Sequence, residues 1–248
     1  MNKRLYIFLT LITLVYLKIS SQKQIINEER IFLGYFNQTR ITKRFGVWSD
    51  VHYRQTDRFT NRPLQDLGRV ALSLYLTDNF RIMAGYCLAY NFPESGLRSG
   101  KIEHRPWQQL FLKQEYNGVQ SIQLLRLEQR YIQVVVNDVA RNEYSYTNRL
   151  RYSYLLLIPF SKTGIVPKKI FAVLNNEVFF NFGKTITYNV FDQNRFFAGI
   201  GYQINKHNSI HLGYMNVFQQ TSSGSKFINS NCIRAFYYHN LDFRKEKS

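Results

Sequence analysis

The stretch Gly68 to Ala89, GRVALSLYLTDNFRIMAGYCLA, decides the fold class. Val70, Leu72, Leu74 and Leu76 share one phase, and Arg69, Ala71, Ser73 and Tyr75 share the other. Thr77-Asp78-Asn79 supplies a tight turn, after which Phe80, Ile82, Ala84, Tyr86 and Leu88 alternate with Arg81, Met83, Gly85, Cys87 and Ala89. Period two with a turn between the runs is a β-hairpin with one apolar and one mixed face. No segment after residue 28 carries apolar residues at helical spacing over a useful length.

The same pattern extends in both directions. Val47, Ser49, Val51 and Tyr53 alternate with Trp48, Asp50, His52 and Arg54; Leu125, Leu127 and Tyr131 with Arg126, Glu128 and Arg130. Tyr152, Tyr154 and Leu156 alternate with Arg149, Arg151 and Ser153, Val178 and Phe180 with Glu177 and Asn181, and Phe196 and Ile200 with Arg195 and Gly199. Runs of about 10 residues, rising ~3.3 Å each and tilted ~40°, span roughly 25 Å, the height of an outer-membrane apolar band. Short turns at 77–79, 117–118 and 205–208 contrast with longer polar links at 55–65, 91–103, 132–143, 183–193 and 219–226. The expected fold is all-β: a single antiparallel up-and-down transmembrane β-barrel of 10–12 strands. Eleven strands are visible. The even number usual for bacterial barrels favours twelve, with residues 22–29 as the extra strand.

The first residues are read separately. Lys3 and Arg4 precede an uncharged apolar run from Leu5 to Leu17, and Ser20-Ser21-Gln22 follows. That is the form of a cleavable signal peptide over 1–22, leaving 23–248 as the barrel domain, with the outer membrane as destination. The formal charge of +17 becomes +14 once Lys3, Arg4 and Lys18 are removed. Basic residues spread singly along strands do not make a nucleic-acid surface. The mean hydropathy of −0.31 does not argue against a barrel, in which only alternate side chains meet lipid. Cys87 and Cys232 offer neither a disulfide framework nor a metal-ligand spacing. No cofactor is expected.

Gly34-Tyr35, Gly85-Tyr86, Gly201-Tyr202 and Gly213-Tyr214 repeat one element, with glycine on the polar phase and tyrosine on the apolar phase. The glycines leave room for bulky inward neighbours, and Tyr35, Tyr86, Tyr202 and Tyr214 are candidates for a membrane-interface girdle. Asp50, Arg54, Arg69, Arg126, Glu128, Arg130, Arg149, Arg151, Glu177 and Arg195 are candidates for a charge ladder facing the lumen. The paired charges on this phase are Asp50 with Arg54, Arg126 with Glu128 and Arg130, Arg149 with Arg151, and Glu177 with Arg195. Inside a barrel such charges must pair across strands, because an unpaired buried charge is destabilising.

Glu103-His104-Arg105-Pro106-Trp107-Gln108-Gln109, Arg126-Leu127-Glu128-Gln129-Arg130, Asn176-Glu177-Val178-Phe179-Phe180-Asn181 and Phe191-Asp192-Gln193-Asn194-Arg195 resemble, in that order, the family known as domain of unknown function 2490. Arg149-Leu150-Arg151-Tyr152 falls between them, and Gly199-Ile200-Gly201-Tyr202 with Gly213-Tyr214-Met215 fits the C-terminal part. The resemblance implies an outer-membrane β-barrel of the Bacteroidetes type and brings no catalytic residues.

The function expected is therefore a porin-like narrow pore, or a structural or binding barrel, with an Arg-rich lumen. Its partners would be outer-membrane lipid and lipopolysaccharide, a small anionic solute, and no nucleic acid. Two alternatives are a surface-facing, phospholipase-like envelope hydrolase and a soluble periplasmic ligand-binding barrel. The hydrolase lacks a recognisable catalytic motif; Glu103 with His104 is the nearest acid/base pair, at what reads as a loop end.

Overall fold

A computed structural model describes residues 23–244; the expected signal peptide lies outside them. Eleven strands follow one another: β1 (Gln24–Arg40), β2 (Phe45–Thr56), β3 (Arg62–Tyr75), β4 (Phe80–Asn91), β5 (Lys101–Tyr116) and β6 (Val119–Val136) lead to β7 (Val139–Pro159), β8 (Lys169–Phe182), β9 (Phe191–Gln203), β10 (Asn208–Gln220) and β11 (Lys226–Asp242). Each is antiparallel to its neighbours in sequence, and β1 meets β11 to close the barrel.

The closing pair is parallel, running from Gln24 opposite Lys226 to Arg40 opposite Asp242. Eleven falls within the expected 10–12, and only the twelfth strand favoured on parity is absent among the described residues. Residues 24–29 are the first part of β1 and form no separate strand. An odd count puts the first and last strands in the same direction, so the seam between them must be parallel. Parallel pairing is slightly weaker per residue, and aromatic side chains line this seam on both faces. Inside, Phe36 stacks on Tyr238 with ring centroids 4.8 Å apart and meets Phe236 edge-on at 5.1 Å. Outside, Tyr35 stacks on Tyr237 at 5.9 Å. Gly34 lies directly opposite Phe236, and a Cβ there would sit 2.8 Å from the ring. Glycine is needed because the phenyl ring lies over its backbone.

The connections fall at two ends. Segments 41–44, 76–79, 117–118, 160–168 and 204–207 lie at one, and 57–61, 92–100, 137–138, 183–190 and 221–225 at the other. All three turns expected to be short share the first end, and the longer links share the second. One of those links is wrong: 132–143 is mostly strand, closed by Asn137-Asp138 with φ of 51° and 58°. Two consecutive left-handed residues make the primed turn that suits a tight hairpin.

Phase assignment is decided by exposure. Val70 and Leu72 are 58% and 71% exposed, whereas Arg69 and Ser73 between and beyond them are 9% and 1% exposed. The apolar phase faces out and the mixed phase faces in, along every strand. The inward phase is more aromatic than its polar residues suggest, because Trp107, Phe171, Phe179 and Phe197 are all enclosed within the barrel.

Replacing Gly34 by valine should force Phe236 off the seam and destabilise the folded barrel by about 1–3 kcal/mol. The urea midpoint of the refolded protein in detergent measures this; an unchanged midpoint would show that the seam tolerates the side chain.

Candidate functional site

The site is the lumen. Period two aims Asp50, Arg69, Cys87 and Arg105 inward from β2 to β5, where the register sets them side by side in one row. Across β6 and β7 the register sets Glu128 opposite Arg149 and Arg126 opposite Arg151. Two facing arginines repel unless each has a carboxylate. Arg151 takes Glu177 of β8, and Arg126 approaches Glu128 at 3.8 Å. Arg149 reaches Glu128 at 2.5 Å and Asp192 at 3.1 Å. Glu103 is held from two sides, by Arg105 at 2.5 Å and Arg130 at 2.6 Å. Asp50 accepts from Arg69 Nε at 2.9 Å and His52 Nε2 at 2.8 Å. The guanidinium faces lie on aromatic rings. Arg126 is 4.1 Å from the centre of Trp107, and Arg195 is 4.8 Å from that of Phe179. Carboxylates and π-faces together replace the water these cations have lost.

All ten residues expected in the ladder face inward, six of them buried: Asp50, Arg69, Arg126, Glu128, Arg149 and Glu177. Arg54, Arg130, Arg151 and Arg195 are partly buried. The pairing differs at three places: Arg130 goes to Glu103 and not to Glu128, Arg149 and Arg151 turn to Glu128 and Glu177, and Asp50 changes partner. Asp50 does not pair with Arg54, whose Nη1 donates instead to Gln65 at 2.7 Å. Residues two apart on one strand share a face, but the directly opposite Arg69 is closer to Asp50. Glu177 does meet Arg195, at 3.9 Å, behind its shorter contact with Arg151.

Four participants were missed: Glu103, Arg105, Asp192 and Arg234. Glu103, Arg105, Trp107 and Gln109 share one inward phase of β5, a signal interrupted by Pro106, which reads as a breaker. The register between β5 and β6 skips Arg105 and Pro106, so the missing N–H falls where no ladder bond is made. Being adjacent on a strand, Glu103 and His104 point to opposite faces. His104 lies outside against the Tyr86 hydroxyl, so the two form no acid/base pair.

Tyr35, Tyr86, Tyr202 and Tyr214 all face outward. The girdle position suits Tyr202 near the end of β9, whereas Tyr86 and Tyr214 stand at the middle of their strands. Their hydroxyls are satisfied by neighbouring side chains: Tyr214 donates to Asn231 at 2.5 Å, and Tyr35 meets His239 Nδ1 at 3.0 Å.

The ion-paired layer occupies the half of the lumen toward the longer loops. Toward the short-turn end lies a cavity of about 580 Å³. Phe36, Phe111, Ile122, Leu155, Phe171 and Tyr238 wall it, and Arg69, Arg126, Arg151 and Arg234 belong to its base. Glu103, Arg105, Arg130, Arg149 and Asp192 do not reach it. Arg40, at the end of β1, is engaged by Asp78 at 2.6 Å. That hydrogen bond and the charges of Arg40 and Arg244 hold the Asp78 carboxyl below its ordinary range.

Residues 29–228 match a family described as a protein of unknown function (DUF2490). The chain belongs to that family. The resemblance carried by the Glu103–Gln109 segment and its successors is thereby borne out. No curated protein and no solved structure matches the chain. The DUF2490 match runs from β1 to the start of β11 and contains every acidic member of the ion-paired layer; Arg234 lies beyond it.

Replacing Glu103 by glutamine leaves Arg105 and Arg130 buried without a carboxylate. Breaking a buried pair in this way destabilises by about 3–5 kcal/mol. Arg130→Gln should do less harm, because Glu103 keeps Arg105. The order of the two urea midpoints checks the assignment.

Proposed function

We propose that this protein is an outer-membrane β-barrel whose lumen is closed by its ion-paired layer, a binding or structural barrel and not an open pore. The observation that carries the reading is the distribution of charge between the two faces. Among the strand residues on the outward phase only Glu29 near the start of β1, Arg62 at the start of β3 and Asp66 are charged, whereas Arg141, Glu143, Lys169 and Lys226 stand on the inward phase at strand ends or hairpin tips. Elsewhere the outer face is mainly Val, Leu, Ile, Phe and Tyr, including Val51, Leu72, Leu88, Ile200 and Leu212, with amides bonded to one another across strands, as Gln108 is to Gln129 and Asn176 to Asn194. A continuous exposed apolar belt of this kind is far larger than soluble monomers carry. Lipid hydrocarbon is the solvent that suits it. A soluble ligand-binding barrel would place these residues inside and its arginines outside.

The odd strand number does not argue against this reading. A parallel seam leaves no free edge, and closure is what a membrane demands. Four of the five connections at one end have four residues or fewer, with 160–168 the exception, and four of the five at the other have five or more, with 137–138 the exception, which fits a periplasmic and an external end, respectively.

Closure of the passage follows from pairing. Glu103, Glu128 and Glu177 each bridge two arginines along the wall between neighbouring strands, and the layer is joined across the lumen by Arg126 of β6 against Trp48 of β2 at 5.5 Å and by Arg234 of β11 with Asn175 of β8. An ion would have to break several charge-assisted bonds to pass.

Reconstituted in planar bilayers, the protein should insert and remain electrically silent. Steady ohmic steps would contradict the closed lumen, and failure to partition into detergent or lipid would contradict the membrane setting.

A further inference from the structure

We propose that the cavity at the short-turn end is a binding site for a single-chain amphipathic anion, its carboxylate or phosphate head on the arginine base and its acyl chain along the apolar wall. The proposal rests on the closed-lumen reading, since a through-passage would have no base.

The first support is charge. Nine cationic side chains line the cavity against a single carboxylate, that of Glu177. Glu177 already serves Arg151 and Arg195. The second is unmet bonding. Arg234 is 4% exposed and forms no ion pair among the described residues. Its guanidinium lies 3.5 Å from the centre of Phe197, donates to Asn175 Oδ1 at 3.4 Å, and leaves Nε without a partner. Arg126, 2% exposed, donates Nε to Gln109 at 2.8 Å, and its Nη1 makes no hydrogen bond, standing 3.8 Å from Glu128. Guanidinium groups this buried are costly to leave without an anion. Arg126 and Arg234 project from β6 and β11 into the same cavity, so one anionic head between them would receive donors from both sides.

The third support is the wall. Above the base come Phe36, Phe111, Ile122, Leu155 and Phe171, and the Lys113 and Lys206 side chains border the same space. A small inorganic anion would leave this apolar surface wet. A chain with a charged head uses both parts, and the volume is in the range of sites that enclose a small organic molecule.

Trp48 lines the cavity and Trp107 packs edge-on against it at 5.6 Å. These are the two tryptophans of the chain. Tryptophan fluorescence in a neutral-lipid nanodisc therefore reports on the site. Mid-chain-brominated dodecanoate should quench it saturably, and dodecanoate or dodecyl phosphate should compete. Brominated phosphatidylcholine in the disc should not quench, because both rings lie inside. Arg234→Gln should raise the Kd by at least about tenfold, the effect of losing a charged hydrogen bond. That variant removes no ion pair, and its gel mobility before and after heating verifies folding. Ile122→Trp should exclude the chain while sparing any binding of inorganic phosphate.

Absence of quenching, equal quenching by the brominated alcohol, or an unchanged Kd in Arg234→Gln would overturn the proposal. Equal competition by inorganic phosphate would overturn its acyl part. A conducting barrel in the parallel bilayer assay would locate the failure in the closed-lumen reading instead.

Discussion

A carboxylate shut between two guanidiniums is the interaction on which the rest of this barrel depends. Glu103 receives Arg105 and Arg130, Glu128 receives Arg126 and Arg149, and Glu177 receives Arg151 and Arg195. With the apolar phase turned outward, the interior combines two enclosed apolar clusters, around Phe197 and around Trp107, with the charges of the mixed phase. Charges pushed inward must be neutralised there, and each carboxylate does so by linking strands that the backbone ladder alone would hold only edge to edge. The aromatic rings beneath the guanidiniums complete the layer, as with Arg126 over Trp107 and Arg234 over Phe197. Apolar and ionic packing are interleaved in one stratum.

The imbalance between the two signs has a consequence. More arginines than carboxylates enter the lumen, and the surplus lies toward the short turns except at Arg54, near the longer-loop end of β2. Arg54, Arg81 and Arg234 find neutral partners only: Gln65, the Tyr75 hydroxyl and Asn175, respectively. Toward the longer loops the charges interlock. Toward the short turns they meet empty space and an apolar wall. A barrel with a uniform lining would be a pipe or a plug; this one is a cup.

Much of this was legible in the residues before any coordinates. Period two assigns Val70 and Leu72 to one face and Arg69 and Ser73 to the other, and a strand cannot disobey that alternation without a bulge. The ends of the barrel were readable for the same local reason, since Asn117-Gly118 and Thr77-Asp78-Asn79 are turn chemistry. The parity of the barrel was not legible. Whether β1 closes on β11 in parallel depends on contacts some two hundred residues apart, such as Phe36 on Tyr238, which no local pattern encodes. Partner choice was equally hidden. Asp50 has Arg54 two residues away on its own face, and only the β2–β3 register shows that Arg69 wins. Glu103 reads as a loop end because the polar link 91–103 runs up to it, yet it stands two residues inside β5, on the same inward phase as Arg105 and Trp107. The site residues were thus visible as a phase and invisible as pairs.

We propose above all that the apolar phase faces lipid and that the charged phase closes a cup open at the short-turn end. The most direct test is a thiol-reactivity profile in liposomes, with single cysteines along β10 in a background lacking Cys87 and Cys232. Ile210 and Leu212 face outward and Ser209 faces the cavity. The account predicts that cysteines at 210 and 212 are protected from a charged, membrane-impermeant reagent. A cysteine at 209 should react from the short-turn side alone. Rapid labelling at 210 and 212, or labelling of 209 from both sides, would contradict it.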